Sequence, residues 1–547
     1  MKLTRRSTLW LMLAGLAQNL LPKSAFARTD DIRHILPSVT ATGISVSVST
    51  VASRARLDLM VGDLRVPGVR RDSRGRYWSF SAEGLAPETE YSLQLLDEHG
   101  ALGSPWPLRT FPDATTMPER FRLLAFTCAG GADGFGIAGK QLFKPHAFRQ
   151  ILFDAALAEK PDAAVAIGDH IYWDLRGGGM PPIGRRSKII KLLAGWYLRF
   201  MYGEFDRTKP ILGTENEAVL TTIGDEQIAN LYGTRFKSTP MFFVSDDHDY
   251  FENDDAEEDL VTFPANAFSR AAFRAVASLY YPPLPDGPSA ATDRAFGLLR
   301  YGRLFEGALF DCAGHLTLGE EMAGLVPPEV ELWLRERARH SPAAHFALIP
   351  SHPMGWTAGK WREWYPDVVA PKGYEGVVQV ELMGDFGDGR LTTDAQKYLW
   401  QSGWWSQHQR LLQTLSQRPG HRLVFSGDIH AQGAVNILAS GSVEPLASPV
   451  QSILVGPVGT SDMTWASAAR GVTASTPDWL TTEDIVPTRE VNGFTVLEFT
   501  PEGASVRLAD CGGYDRSLGE DGGVRASDEF KVAYGPEFSL ENPRVPL

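Results

Sequence analysis

A small all-β sandwich followed by a larger α/β domain is the architecture this sequence predicts, and three observations carry the prediction. Apolar and polar residues alternate with period two, broken by turn residues, from about residue 35 to 111. After residue 118 the pattern changes to strand, helix, strand, and five short apolar runs are each followed at once by a residue able to do chemistry. With 547 residues the chain exceeds what one hydrophobic core supports, so at least two domains are expected.

Residues 1–27 read as an export signal outside the fold: Lys2, Arg5 and Arg6 precede an apolar run from Leu9 to Leu21, and Ala25-Phe26-Ala27 is an A-x-A cleavage site. The run is too short to span a bilayer, and no transmembrane segment is expected in the mature chain. Thr4-Arg5-Arg6-Ser7-Thr8-Leu9 resembles a twin-arginine signal, with an ordinary secretory signal as the alternative. The first makes the twin-arginine export machinery a partner and the mature protein periplasmic or extracellular. Cleavage removes four cations and no acid, taking the net charge from −13 to −17, which argues against nucleic acid or anionic membrane as a bulk partner. Three cysteines, Cys128, Cys312 and Cys511, leave at least one unpaired within an exported chain.

The sandwich is placed at residues 34–112, with strands at 44–48, 57–61 and 77–81. Leu85-Ala86-Pro87-Glu88-Thr89-Glu90-Tyr91 resembles the tyrosine corner of a fibronectin type III domain. The α/β domain is placed at 119–510. Strands are read at 121–126, 163–167, 241–244, 345–349 and 423–425, helices at 143–159 and 407–415, and further strands at 450–456, 493–499 and 505–508. Insertions at 176–240 and 252–300 are long enough to be functional or to hold helices of their own, and Arg185 or Arg186 in the first is a candidate phosphate contact. The 511–547 tail is polar, glycine-rich and uninformative.

Each of the five strands runs into potential metal ligands: Cys128; Gly168-Asp169, with Tyr172 three residues on; Asp246-Asp247-His248-Asp249; His352; and Gly427-Asp428-Ile429-His430. Carboxyl ends of strands in an open α/β sheet line one crevice, so these stretches converge. Singly, each has a second reading: Cys128 as a small buried hydrophobe, His352 as a core histidine, Asp246-Asp247 as a helix cap. Jointly, carboxylates, imidazoles and one thiol are too mixed for a structural zinc knot and suit a two-metal hydrolytic site, with Asp169 as the natural bridge.

The ordered set Gly168-Asp169, Asp247-His248, His352 and Gly427-Asp428-x-His430 resembles the calcineurin-like metallophosphoesterases. Cys128, Gly-Asp-x-x-Tyr, Asp-Asp-His-acid and Ser-Gly-Asp-x-His together resemble the alkaline phosphatase D (PhoD) family within them. Two departures are Asp249, where Glu is common, and Asn253, one position later than the family's asparagines. The resemblance implies a four-layer α/β/β/α sandwich and an enzyme that hydrolyses small phosphomonoesters and/or phosphodiesters with a hydroxide generated between two cations. It implies Fe(III) held by Cys128, Asp169, Tyr172 and His430, and Ca(II) held by Asp169, Asp247, His352 and Asp428, with Zn, Mn or a second iron as the alternative beside His352. His248 is the candidate to protonate the leaving group or bind phosphate, Asp249 to orient it or face solvent, and Asn253 to contact ligands or substrate. The aromatics Trp356, Trp361, Trp364, Trp404 and Trp405 line a pocket for a bulky, lipid-like leaving group or pack the core. Phospholipase D-like chemistry, a Cys128–His hydrolase, and a cell-surface binding protein with a catalytically dead α/β scaffold are the rival readings.

Overall fold

A computed structural model describes residues 31–137, 140–173, 200–250, 267–288, 295–317, 320–357, 402–441, 445–461, 464–469, 473–477 and 480–511, with short pieces at 256–257, 260–261, 265, 368–369, 397–398, 533–534 and 538–540. Residues 1–27, read as an export signal, and Arg185, Arg186, Asn253, Trp361 and Trp364 lie outside the described residues.

The front domain is the expected sandwich. One sheet runs Ile32–Val39, Gly43–Thr50, Tyr77–Glu83, Val69–Arg70; the other runs Leu64–Pro67, Asp58–Val61, Glu90–Asp97, Gly100–Arg109. Alternation packs Val46, Val48, Leu59, Leu93 and Trp106 between them. The Tyr91 hydroxyl accepts the Ala86 N–H at 2.8 Å, tying the corner back on itself.

Two mixed sheets form the α/β domain, each of seven strands among the described residues. In the first, Met241–Val244, Ala163–Ile167 and Phe121–Thr127 are parallel, and Gly493–Thr500 and Gly503–Asp510 continue antiparallel. In the second the order is Phe296–Tyr301, Phe305–Phe310, His345–Pro350, His421–Ser426, Val450–Leu454, Gln432–Ser440, Leu480–Arg489. Strand alternation sorts the side chains into layers. Ala125, Val165 and Val244 of the first sheet meet Leu309, Ile349 and Phe425 of the second in one core. Their neighbours Phe126, Ala166 and Phe243 face outward onto Phe148, Leu152, Leu220 and Val276 of the helices His146–Ala158, Glu215–Gly224 and Ala267–Tyr280. On the far side Phe310, Leu348 and Val424 face Val330, Leu334 and Leu412 of Pro328–His340 and Ser402–Ser416. Helix, sheet, sheet, helix is the four-layer arrangement expected. Covering both faces is also why these strands read as continuous apolar runs.

The first helix begins at His146 rather than 143, because Pro145 fixes its own φ and disfavours helix for the residue before it. The insertions do carry helices, and the second ends in the strand Phe296–Tyr301. Two short strands of the tail, Ala533–Tyr534 and Phe538–Leu540, pair with Gly503–Asp510, so the segment taken as uninformative extends the first sheet. Trp356 and Trp404 are core residues, their indole N–H groups donating to the Ser452 hydroxyl at 2.9 Å and the Thr317 carbonyl at 2.7 Å. All three cysteines are buried thiols.

Candidate metal centre

The carboxyl ends of the two sheets meet at a seam. Thr127 N–H donates to the Gly456 carbonyl, Val458 N–H to the Thr127 carbonyl and Gly459 N–H to the Cys128 carbonyl, at 3.0–3.1 Å. The Thr127 hydroxyl donates to the Ile167 carbonyl and accepts the Asp428 N–H. Gly427 stands where nothing larger fits: a Cβ there would lie 2.2 Å from Thr127 Oγ1. Gly168, at φ 73°, adopts the left-handed turn, and a Cβ on it would meet Asp246 Cβ at 2.6 Å.

Residues predicted as ligands leave this seam in unusual conformations. Cys128, Asp169, Asp428 and His430 have φ of 50°, 58°, 69° and 53°, four of the seven non-glycine residues with positive φ among those described. Such strain persists only where surrounding bonds over-determine it, and it gathers at functional sites.

The side chains converge. Cys128 Sγ lies 3.3 Å and the Tyr172 hydroxyl 2.9 Å from Asp169 Oδ2, both donating to it. Asp169 Oδ1 is buried with no hydrogen-bond partner. Three groups offer ligand atoms within 4.8 Å of one another: Cys128, Asp169 and His430; Asp169, Asp247 and His248; Asp246, Asp247 and Asp428. Asp169 belongs to the first two and Asp247 to the last two. The His430 Nδ1–H donates to the Thr464 carbonyl at 2.5 Å, which leaves Nε2 with its lone pair for a ligand.

Electrostatics point the same way. Burial, with Asp169 beside them, pushes both the Cys128 thiol and the Tyr172 phenol well up. Burial also raises Asp169, with His248 opposing and Asp247 and Asp428 adding to the rise. Four buried carboxylates, Asp169, Asp246, Asp247 and Asp428, in one site are costly unless cations offset them. The donor set therefore fits two metal ions: thiol, phenol, carboxylate and imidazole on one side, carboxylates on the other.

The geometry adds to three of the sequence-derived assignments. Asp246 joins Asp247 and Asp428 in the third group, and His352 is buried just beyond His345–Pro350, outside the three groups found among the described residues. Asp249 neither orients His248 nor faces solvent. Its carboxylate, 1% exposed, accepts the N–H groups of Asp169, His170, Ile171 and Asp246 at 2.9–3.0 Å. His248 is half-buried at the rim, its ring 4.2 Å from that of Tyr172, close enough to Asp169 and Asp247 to be a ligand as well as a proton donor.

Sequence reading missed Arg149 and Gln227. The Arg149 guanidinium is fully buried and donates to the carbonyls of Ala129, Gly130, Gly131, Ala132 and Lys144, gripping the loop that follows Cys128. An arginine on the same helix face as Leu152 and Phe153 was the available signal. Gln227 had none, because its role depends on a loop and a strand end distant in sequence.

No family profile and no curated protein sequence matches the chain. Among solved structures, that of PhoD superposes with a TM-score of 0.58 at 13% identity, covering 95% of this chain and 92% of the other. A purple acid phosphatase isolated from yellow lupin (Lupinus luteus) seeds superposes at 0.52 and 11% identity, covering 93% of this chain and 73% of the other. At such identities the likeness establishes a shared fold.

Proposed function

We propose that this chain is an exported, metal-dependent phosphoesterase of the alkaline phosphatase D kind. The observation that carries the reading is the position of Asp169, common to the group with Cys128 and His430 and to the group with Asp247 and His248, as a carboxylate bridging two cations would be. The folds shared with PhoD and a purple acid phosphatase support it.

Cys128, Asp169, Tyr172 and His430 would hold one ion, and thiolate with phenolate suits Fe(III). Asp169, Asp246, Asp247 and Asp428 would hold the other. Those oxygen donors favour a hard cation such as Ca(II), whereas His352 as a further ligand would invite Zn or Mn. When bound, the pair supplies a water of lowered pKa and offsets charge on the phosphoryl oxygens. The protein's own part is positioning: Thr464 presents His430 Nε2, Asp249 holds the turn bearing Asp169, and the Thr127 hydroxyl fixes Asp428. His248, at the partly exposed rim, donates a proton to the leaving alkoxide or holds a phosphoryl oxygen.

Metal analysis of the purified protein, paired with a comparison of mono- and diester substrates, tests the reading. Two ions per chain and chelator-sensitive hydrolysis are expected; full activity and full metal content in Asp169→Asn would end the bridging assignment. His248→Ala should lower kcat about 10²–10⁴-fold and spare the metals. Metal loss would instead make His248 a ligand.

A further inference from the structure

Between the helix Glu215–Gly224 and the short helix Asn230–Tyr232 the chain makes one π-helical turn, Asp225–Ala229. Such turns are rare and concentrate at functional sites. Gln227, 1% exposed, points from it toward the metal centre. Its Oε1 accepts the Gly131 N–H at 2.7 Å and the Tyr172 N–H at 2.8 Å, and its Nε2 donates to the Tyr172 carbonyl at 3.2 Å. One side chain thus pins the loop that follows Cys128 to the backbone of Tyr172. Glu226 adds a bond from the Asp133 N–H at 3.2 Å.

Asp225, two residues earlier, serves the other side. Its Oδ1 accepts the Tyr77 hydroxyl at 2.5 Å and the Tyr280 hydroxyl at 3.1 Å, and its Oδ2 pairs with Arg33. Tyr77 and Arg33 belong to the front sandwich. The same sandwich makes further bonds to this stretch, among them from Ile35 N–H to the Gly233 carbonyl at 3.0 Å and from the Ser73 N–H and hydroxyl to Glu217 at 3.0 and 2.6 Å.

We propose that the Asp225–Ala229 turn is a strut through which the front sandwich sets the metal centre, with Gln227 as the positioning residue that fixes the spacing of Cys128 and Tyr172. The sandwich is then part of the catalytic apparatus rather than an appended module. This rests on Cys128 and Tyr172 being ligands, but not on what the centre hydrolyses.

The test is Co(II) titration of the metal-stripped full-length protein, read by the thiolate-to-cobalt absorption band, which reports Cys128 without reference to turnover. Gln227→Met, of similar length but without the amide, should lower Co(II) affinity about 10–100-fold and shift the band. Tyr77→Phe, at the sandwich end, should move both in the same direction by less. Lowered thermal stability with unchanged affinity and band in both variants overturns the proposal. If Gln227→Met does not fold, Tyr77→Phe and Asp225→Asn decide it by the same readings. A wild-type protein that takes up Co(II) without the band overturns it too, since no thiolate is then being positioned. If the wild type shows the band and Gln227→Met shifts it, the strut stands even where no phosphoester is hydrolysed, and only the phosphoesterase reading fails.

Discussion

Asp249 accepts the backbone N–H of Asp169 at 3.0 Å across 80 positions of sequence, and the same carboxylate takes those of His170 and Ile171. The turn that presents the central carboxylate of the site is therefore shaped from the neighbouring strand's end. Asp249→Ala would leave four buried N–H groups without an acceptor, each worth about 1–3 kcal/mol. The expected outcome is a loss of several kcal/mol in chemical denaturation together with loss of bound metal. A variant with wild-type stability would mean the turn holds itself.

Arg149 supports the loop on the other side of the site. Burial lowers its pKa to about 10, so it stays charged at neutral pH and donates to five carbonyls. Arg149→Lys keeps the charge but not the planar fork and should still cost about 3 kcal/mol or more, with a fall in metal affinity. Equal denaturation midpoints for the two proteins would show that charge alone is what the loop needs.

If two ions are bound as proposed, stripping them should destabilise the fold as well as abolish hydrolysis. Asp169, Asp246, Asp247 and Asp428 would then face one another in a buried site. Ligands bound at 100 times their dissociation constant stabilise by about 2.7 kcal/mol, so calorimetry with and without chelator should show Tm falling by several degrees and recovering on re-addition. A chelator-insensitive Tm would argue that no ion belongs there.

Acid sensitivity should arise partly from histidines outside the site. Burial holds His34 down to about 3, opposed by its bond to the Tyr280 carbonyl, and burial holds His408 at about 3 as well. The unfolded chain protonates these rings below about 6.5, whereas the folded one does not until near 3. Their contribution is full above 6.5 and drains away as pH falls toward 3. His34→Gln should narrow the gap between urea midpoints at pH 7 and pH 4.5. An unchanged gap would show that His34 stays neutral for some other reason.

Strand ends were legible because burial on both faces leaves uninterrupted apolar runs such as Ala163–Ile167, and whatever follows them stands out. Cys128, Asp169, Asp247, Asp428 and His430 were found in this way. What could not be read were groups whose partners come from elsewhere in the chain. Asp249 is one carboxylate among three in Asp246-Asp247-His248-Asp249, and nothing local says that it serves the turn at Asp169. The strands Gln432–Ser440 and Leu480–Arg489 escaped notice because polar residues at Asn436, Thr481 and Glu483 interrupt their apolar pattern.

The seam at Thr127 and Asp428 joins residues 301 positions apart. Contacts so distant in sequence are the slowest for a folding chain to make, since loop-closure entropy is spent before any contact rewards it. Neither half of the chain holds a complete set of the proposed ligands until the seam closes, so a nascent chain would not be templated by metal, and uptake would follow folding. Refolding monitored by tryptophan fluorescence should run at the same rate with and without added cations.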